Sequence, residues 1–253
     1  SLQSRATAFR RRIILMFKKR SYQLERLDTG DYTAEEYDVC LSELRFINRW
    51  IGDSFALKAT LLKEIEAKDL REFSVLDVGA GSGELLREIA KFARKGNRNT
   101  KLFGLEYNAL SADSIRSESK DFSEINSIRG NGFSIPFADN SIDYTICSLF
   151  THHFTDENVV KLLAEMKRVS IRGVYVIDLH RHRIAYRLYK MFCVAFQISN
   201  LVREDGSLSV LRGFKPNEFE DLAEKASLEN VSVTRHFPFR IVLSAKKNYA
   251  AAD

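Results

Sequence analysis

The run Val75-Leu76-Asp77-Val78-Gly79-Ala80-Gly81-Ser82-Gly83-Glu84 constrains this chain more than any other stretch. An apolar, β-rich segment ends in an acid, glycines then alternate, and residues Gly83–Arg94 follow with helical spacing. Glycine at alternate positions permits a tight bend and lets a ligand lie against bare backbone. The unit expected is strand, bend, helix, with the bend on the edge of a sheet.

The rest of the chain agrees. Further strands are expected at Lys101–Glu106, Ile125–Arg129, Ile142–Ser148, Val174–Leu179, Val231–Phe237 and Arg240–Ala245, after a first strand at Phe73–Val78. Helical spacing fills Ala109–Ser119, Glu157–Val169 and Pro216–Lys225. Alternating strands and helices imply an α/β fold with a seven-stranded, mostly parallel sheet covered by helices on both faces. Only Pro238-Phe239 separates the last two strands, which predicts a C-terminal hairpin with one antiparallel strand. Right-handed crossovers put the loop after each parallel strand on one edge, where ligands bind.

Residues 1–70 read differently. Thr33–Trp50 and Ser54–Ala67 show apolar residues three and four apart, Thr33 and Glu36 form a capping box, and Gly52-Asp53-Ser54 breaks the two helices. The expected organisation is a helical N-terminal extension or lid over 1–70 and a ligand-binding domain over 71–253. An insertion helix at about 183–197 follows the fifth strand.

No apolar run approaches the roughly 20 residues of a membrane span. Cys40, Cys147 and Cys193 are scattered without metal spacing, as in a cytoplasmic protein with reduced thiols, and no metal is expected. Residues 1–20 hold seven basic residues and no acid, although the whole chain is only +5. The basicity is therefore an arm. Around Ile13–Phe17 the arm suits peripheral contact with an anionic membrane face through residues 5–20, or with nucleic acid; a solvated tail is the plainer reading.

The sixth position of the bend is Glu84, where a dinucleotide site has a small residue packed beneath a pyrophosphate. Asp77 also suits a positive ammonium group better than a pyrophosphate. Asp77 to Gly83 resembles motif I of class I methyltransferases that use S-adenosylmethionine (SAM), D/E-x-G-x-G-x-G. Glu106, ending the second strand, resembles that family's motif II. Gly130 to Phe137 resembles the segment preceding its fourth strand. The resemblance covers about residues 70–245 and implies a Rossmann-like fold.

It also implies a cofactor site of Asp77, Gly79, Ala80, Gly81, Gly83, Glu106, Tyr107, Asn131, Gly132, Phe133 and Ser148, with S-adenosylhomocysteine (SAH) as product. By the same resemblance Asp77 lies near the amino group of SAM, Glu106 takes the ribose hydroxyls and Tyr107 lies beside the adenine. The family usually carries Asp where this chain has Asn131, whose carbonyl can still accept from the adenine amino group.

Four of the five histidines fall after two strands on the ligand edge: His152 and His153 after the fourth, His180 and His182 after the fifth. Histidine is the usual proton acceptor near neutral pH. Asp178, ending the fifth strand, could orient one of them. The catalytic candidates are therefore His152, His153, Asp178 and His180. His152 or His153 could instead cap the next helix, His180 and His182 could lie in a solvated loop beside Arg181 and Arg183, and His236, within a strand, reads as structural.

The His-His segment resembles that of methyltransferases of ubiquinone and menaquinone biosynthesis and of natural-product tailoring. The implied partner is a small or lipid-like acceptor: phenolic, polyketide or quinone-type. Nucleic-acid methylation lacks its signatures, since Cys147-Ser148-Leu149-Phe150 replaces both the Asn/Asp-Pro-Pro-aromatic segment and the Cys-Pro pair. Paired glutamates of arginine methylation are missing too. RNA or protein methylation and a non-catalytic SAM-binding module remain the alternatives.

Overall fold

The computed structural model describes residues 16–247, with backbone only at 49 and 50. Seven strands form one sheet: β1 (Glu72–Val78), β2 (Asn99–Glu106), β3 (Ile125–Arg129), β4 (Ile142–Ser148), β5 (Ser170–Leu179), β6 (Val231–His236) and β7 (Arg240–Lys246). Their order is β3-β2-β1-β4-β5-β7-β6. Pairings among β1 to β5 are parallel, and β6 pairs with β7 antiparallel. This is the α/β, Rossmann-like sheet expected. Strand order reverses beside β1, which places the glycine bend at the topological switch point.

The chain divides into two compact units, one of residues 53–178 and 216–253, the other of residues 1–52 and 179–215. The sequence pattern changes near residue 70, but the unit built on the sheet begins at Asp53. The reason is burial. Ala56, Leu57, Leu61, Leu62 and Ile65 pack with Val75, Leu86, Ile89, Tyr144 and Ile177 in one apolar cluster. The helix that supplies them runs as Ser54–Leu57, a π-helical turn Lys58–Leu62, and Lys63–Ala67.

In the second unit Ala34–Ile51 is capped by Thr33, whose hydroxyl accepts from Glu36 N, while Glu36 returns a carboxylate to Thr33 N. Arg183–Ala195 forms the insertion helix. A further helix, Asn200–Arg212, was absent from the sequence expectation. Its buried face mixes Leu201, Val202 and Val210 with Asp205, Ser207 and Arg212, so no continuous apolar stripe announces it. Asp205 accepts from the backbone N–H groups of Arg26 and Leu27, both at 2.9 Å.

Residues 5–15 of the basic arm lie outside the described residues. Arg20, its last member, is buried: its Nε donates to Arg212 O and its guanidinium stacks 4.0 Å from the Phe214 ring centroid. Among the described residues no helix is long and apolar enough to cross a membrane.

Candidate functional site

The glycine bend takes the backbone geometry its sequence requires. Gly79, Gly81 and Gly83 all have positive φ, at 76°, 58° and 80°. At Gly81 a Cβ would meet nothing within 4 Å, so its constraint is backbone conformation alone. Gly79 carries a second constraint, since a Cβ there would stand 2.8 Å from the Phe150 ring. Gly79 N donates to Leu105 O at 2.9 Å, tying the bend to β2. The helix Glu84–Lys95 starts directly after Gly83.

Two carboxylates flank this bend. Asp77 is buried, and its Oδ1 has no hydrogen-bond partner among the described residues. Burial, then the negative charges of Glu106 and Asp53, push its pKa up to about 8. Glu106 ends β2 and accepts from Gly81 N at 2.6 Å through Oε1. Burial raises its pKa too, against the backbone N–H groups of Gly81, Tyr107 and Asn108. A buried carboxylate with an unsatisfied oxygen is costly and fits a site that receives a cation. The ammonium of an amino-acid-bearing nucleoside meets that requirement, and the side-chain-free bend leaves room for its chain.

The remaining expected cofactor residues surround this centre unevenly. Tyr107 is 77% exposed at the edge of β2. Asn108 beside it caps the next helix, accepting from Leu110 N at 2.8 Å. Asn131 spends its side-chain carbonyl locally, accepting from Phe133 N at 2.9 Å. Gly132 lets backbone lie against Val78, since a Cβ would come within 2.9 Å of it. Phe133 packs edge-on to Phe154, and Phe154 edge-on to Phe150. Ala80 sits within the bend, its N–H reaching Leu105 O at 3.4 Å.

Ser148 ends β4, and its hydroxyl donates to Asp53 Oδ2. The other oxygen of Asp53 accepts from Arg240 Nε, and both residues are buried. Sequence reasoning missed Asp53 and Arg240. Asp53 looked like a helix break, and nothing local in a sequence pairs a residue with one 187 positions away.

After Ser148 the chain turns through Leu149, whose φ is +47°, an unusual value for a branched residue. That turn directs Phe150 onto Gly79 and starts the short 3₁₀ turn Thr151–His153. Here Asp178, fully buried at the end of β5, collects three donors. Its Oδ2 accepts from Thr151 Oγ1 and, at 3.0 Å, from His152 N, and its Oδ1 lies 2.7 Å from His152 Nδ1. The structure thus brings Asp178 and His152 together, with the His153 ring tilted 34° against that of His152 at 4.2 Å between centroids.

The fifth-strand histidines are placed otherwise. His180 forms a parallel bridge with Phe214, and His182 caps the helix Arg183–Ala195, accepting from Ile184 N through Nδ1. His236 shares a 2.7 Å hydrogen bond with Thr234 Oγ1 on β6. Cys147 is buried, and burial plus the charges of Asp77, Asp178 and Glu106 hold its thiol protonated.

Sequence and fold comparisons agree with this geometry. Residues 76–177 match the family model described as a methyltransferase domain. The demethylmenaquinone methyltransferase of Bacillus cereus is 26% identical over 225 residues, covering 81% of this chain and 88% of that protein. That of Bacillus anthracis is 27% identical over the same shares. Among solved structures, the plantazolicin methyltransferase BamL, in complex with a triazolic desmethyl analogue and SAH, superposes with a TM-score of 0.65 at 15% identity. The match covers 85% of this chain and 91% of that one. Magnesium protoporphyrin IX methyltransferase of Synechocystis PCC 6803, with bound SAH, gives 0.55 at 11% identity over 77% and 83%. Sequence and fold thus agree around this bend: residues 76–177 match a methyltransferase domain, and the chain is similar in sequence and in fold to SAM-dependent methyltransferases.

Proposed function

We propose that this enzyme methylates a small or lipid-like acceptor bearing a phenolic or quinol hydroxyl, and that His152 is the base that removes the hydroxyl proton. The observation that carries this reading is the buried His152–Asp178 pair at the ends of adjacent parallel strands. The demethylmenaquinone methyltransferases it resembles are named for a quinone-type acceptor, which supports the class.

SAM, when bound, supplies an electrophilic methyl carbon and a thioether leaving group. The residues that would hold it are Asp77 toward its ammonium group, Glu106 toward the ribose, and the backbone of Gly79, Ala80, Gly81 and Gly83. Tyr107, Asn131, Gly132, Phe133 and Ser148 complete the proposed set. Asn131 must release its bond to Phe133 N, or offer its amide N–H instead, to meet an adenine.

The chain's own task is to prepare the acceptor oxygen. Asp178 accepts Nδ1–H of His152, which fixes the tautomer and leaves Nε2 as the basic nitrogen. Nε2 takes the acceptor's hydroxyl proton, and Asp178 then stabilises the imidazolium. A phenolate so formed is nucleophilic at oxygen and at the ortho ring carbon. Phe150 links the two halves of the site, since it precedes His152 by two residues and lies on Gly79. His153 is the second side chain of the same turn. His180, bridged to Phe214, lies two residues after Asp178 in sequence and is assigned a supporting place.

The test is His152→Gln assayed against a panel of phenols and hydroquinones, with methyl products read by mass spectrometry and SAH affinity by calorimetry. Turnover should fall roughly 10²–10⁴-fold while SAH affinity stays within about twofold. Turnover retained in that variant would remove His152 as the base. Absence of methylation across the panel by wild-type enzyme that binds SAH would remove the acceptor class.

A further inference from the structure

The helix Arg183–Ala195 has two apolar faces. One is buried through Ala185 and Cys193 and packs with Phe46 through Phe192. The other is open. Ile184 is 52% exposed, Leu188 48%, Met191 66% and Val194 68%. At 3.6 residues per turn, Ile184, Leu188 and Met191 fall within about 60° of one another, so they form a stripe rather than a scatter. Single exposed apolar residues are ordinary on a protein surface, but a continuous stripe on one helix is not.

The charges beside the stripe all have one sign. Arg183, Arg187 and Lys190 are exposed on its flank, next to Val194. Residues 179–203 contain no Asp or Glu at all. A helix whose outer face is apolar and whose rim is purely cationic has the make-up of a helix lying in a membrane interface. There, long basic side chains reach anionic headgroups while apolar ones enter the acyl boundary. Charge also argues against the chain's own N-terminal segment as the cover. Residues 1–15 carry Arg5, Arg10, Arg11 and Arg12 and no acid, so they repel this rim.

We propose that the outer face of the helix Arg183–Ala195 is a docking surface for an anionic lipid bilayer. Ile184, Leu188 and Met191 enter the interface, and Arg183, Arg187 and Lys190 hold the headgroups. The proposal uses neither residue of the His152–Asp178 pair, so its failure would leave the acceptor reading intact. It would bring the enzyme to the place where a lipid-like acceptor partitions.

The experiment is co-sedimentation of the full chain with vesicles of phosphatidylcholine alone or mixed with phosphatidylglycerol. Wild type should bind the mixed vesicles at least about tenfold more tightly than the neutral ones, and the difference should shrink as salt is raised. Leu188→Ser with Met191→Ser, both exposed positions, should lower binding to mixed vesicles at least about tenfold. Arg187→Gln with Lys190→Gln should remove the preference for phosphatidylglycerol. Unchanged SAH affinity would verify that each variant is folded. Deleting residues 1–15 should leave at least half of the binding. Any of three outcomes would overturn the proposal: equal binding by wild type and the Leu188/Met191 variant, binding lost only on deletion of residues 1–15, or a dimer in sedimentation velocity that the Leu188/Met191 variant dissociates.

Discussion

Asp77 is the residue on which the chemistry of the cofactor end turns. In the protein without ligand it is buried beside two other carboxylates and titrates near 8, against an ordinary 3.8. The sign of the linkage follows. A folded pKa raised above the unfolded one makes ionisation favour the unfolded chain, so stability falls as pH rises between about 4 and 8. A cationic ligand reverses this by favouring the ionised form. SAH binding at pH 7 should therefore release close to one proton, measured by calorimetry in buffers of different ionisation enthalpy. Asp77→Asn should abolish that release and weaken SAH at least about tenfold. The same variant should raise the melting temperature of the ligand-free protein at pH 7. Proton uptake on binding, or unchanged affinity in the variant, would remove Asp77 from the ammonium site. The motif announced Asp77 because the strand, acid and glycines are contiguous. It could not announce Asp53, whose partners Ser148 and Arg240 arrive from distant strands.

At the level of elements, apolar periodicity and local chemistry agree over most of the sheet unit. Six strands and four helices begin and end within two residues of where the pattern places them, because each has one covered face and a breaker at its end. β5 instead begins four residues early, at Ser170, since the helix before it ends at Val169 and Ser170 already pairs with Ile142. The unforeseen helix Asn200–Arg212 has a different reason. Only half of its buried positions are apolar, and Asp205 among the polar ones is held by backbone N–H groups of Arg26 and Leu27. Asp205→Ala removes both acceptors and leaves two N–H groups without partners. It should speed hydrogen exchange at Arg26 and Leu27 by about tenfold or more, since a lost charge-assisted bond is worth about 1.5–3 kcal/mol. Unchanged exchange there would show that the segment is held by its other contacts.

For the molecule as a whole, the acid limit of stability should be set in large part by Glu64. This carboxylate lies under the sheet, where the Tyr144 and Tyr175 hydroxyls and the Lys68 and Lys246 ammonium groups converge on it. Burial alone would raise its pKa; the bonds from Lys246, Tyr175 and Lys68 overcome that and hold it at about 2, below its ordinary 4.5. A depressed folded pKa contributes stability that is complete above about 4.5 and lost as pH falls toward 2. Glu64→Gln should cost about 2 kcal/mol at pH 7 in denaturant unfolding, and the difference from wild type should vanish near pH 2. A constant difference at all pH values would mean that packing rather than charge is lost. What the residues alone determined was the order of strands and helices, the glycine bend and the carboxylates belonging to it, since these depend on neighbours in the chain. What tertiary structure decided was which side chains meet. Asp178 met His152 because β4 and β5 lie side by side, and Asp53 joined Ser148 and Arg240 because a helix packed beneath the sheet. Such meetings come from the burial of whole faces, and no short stretch of sequence encodes them.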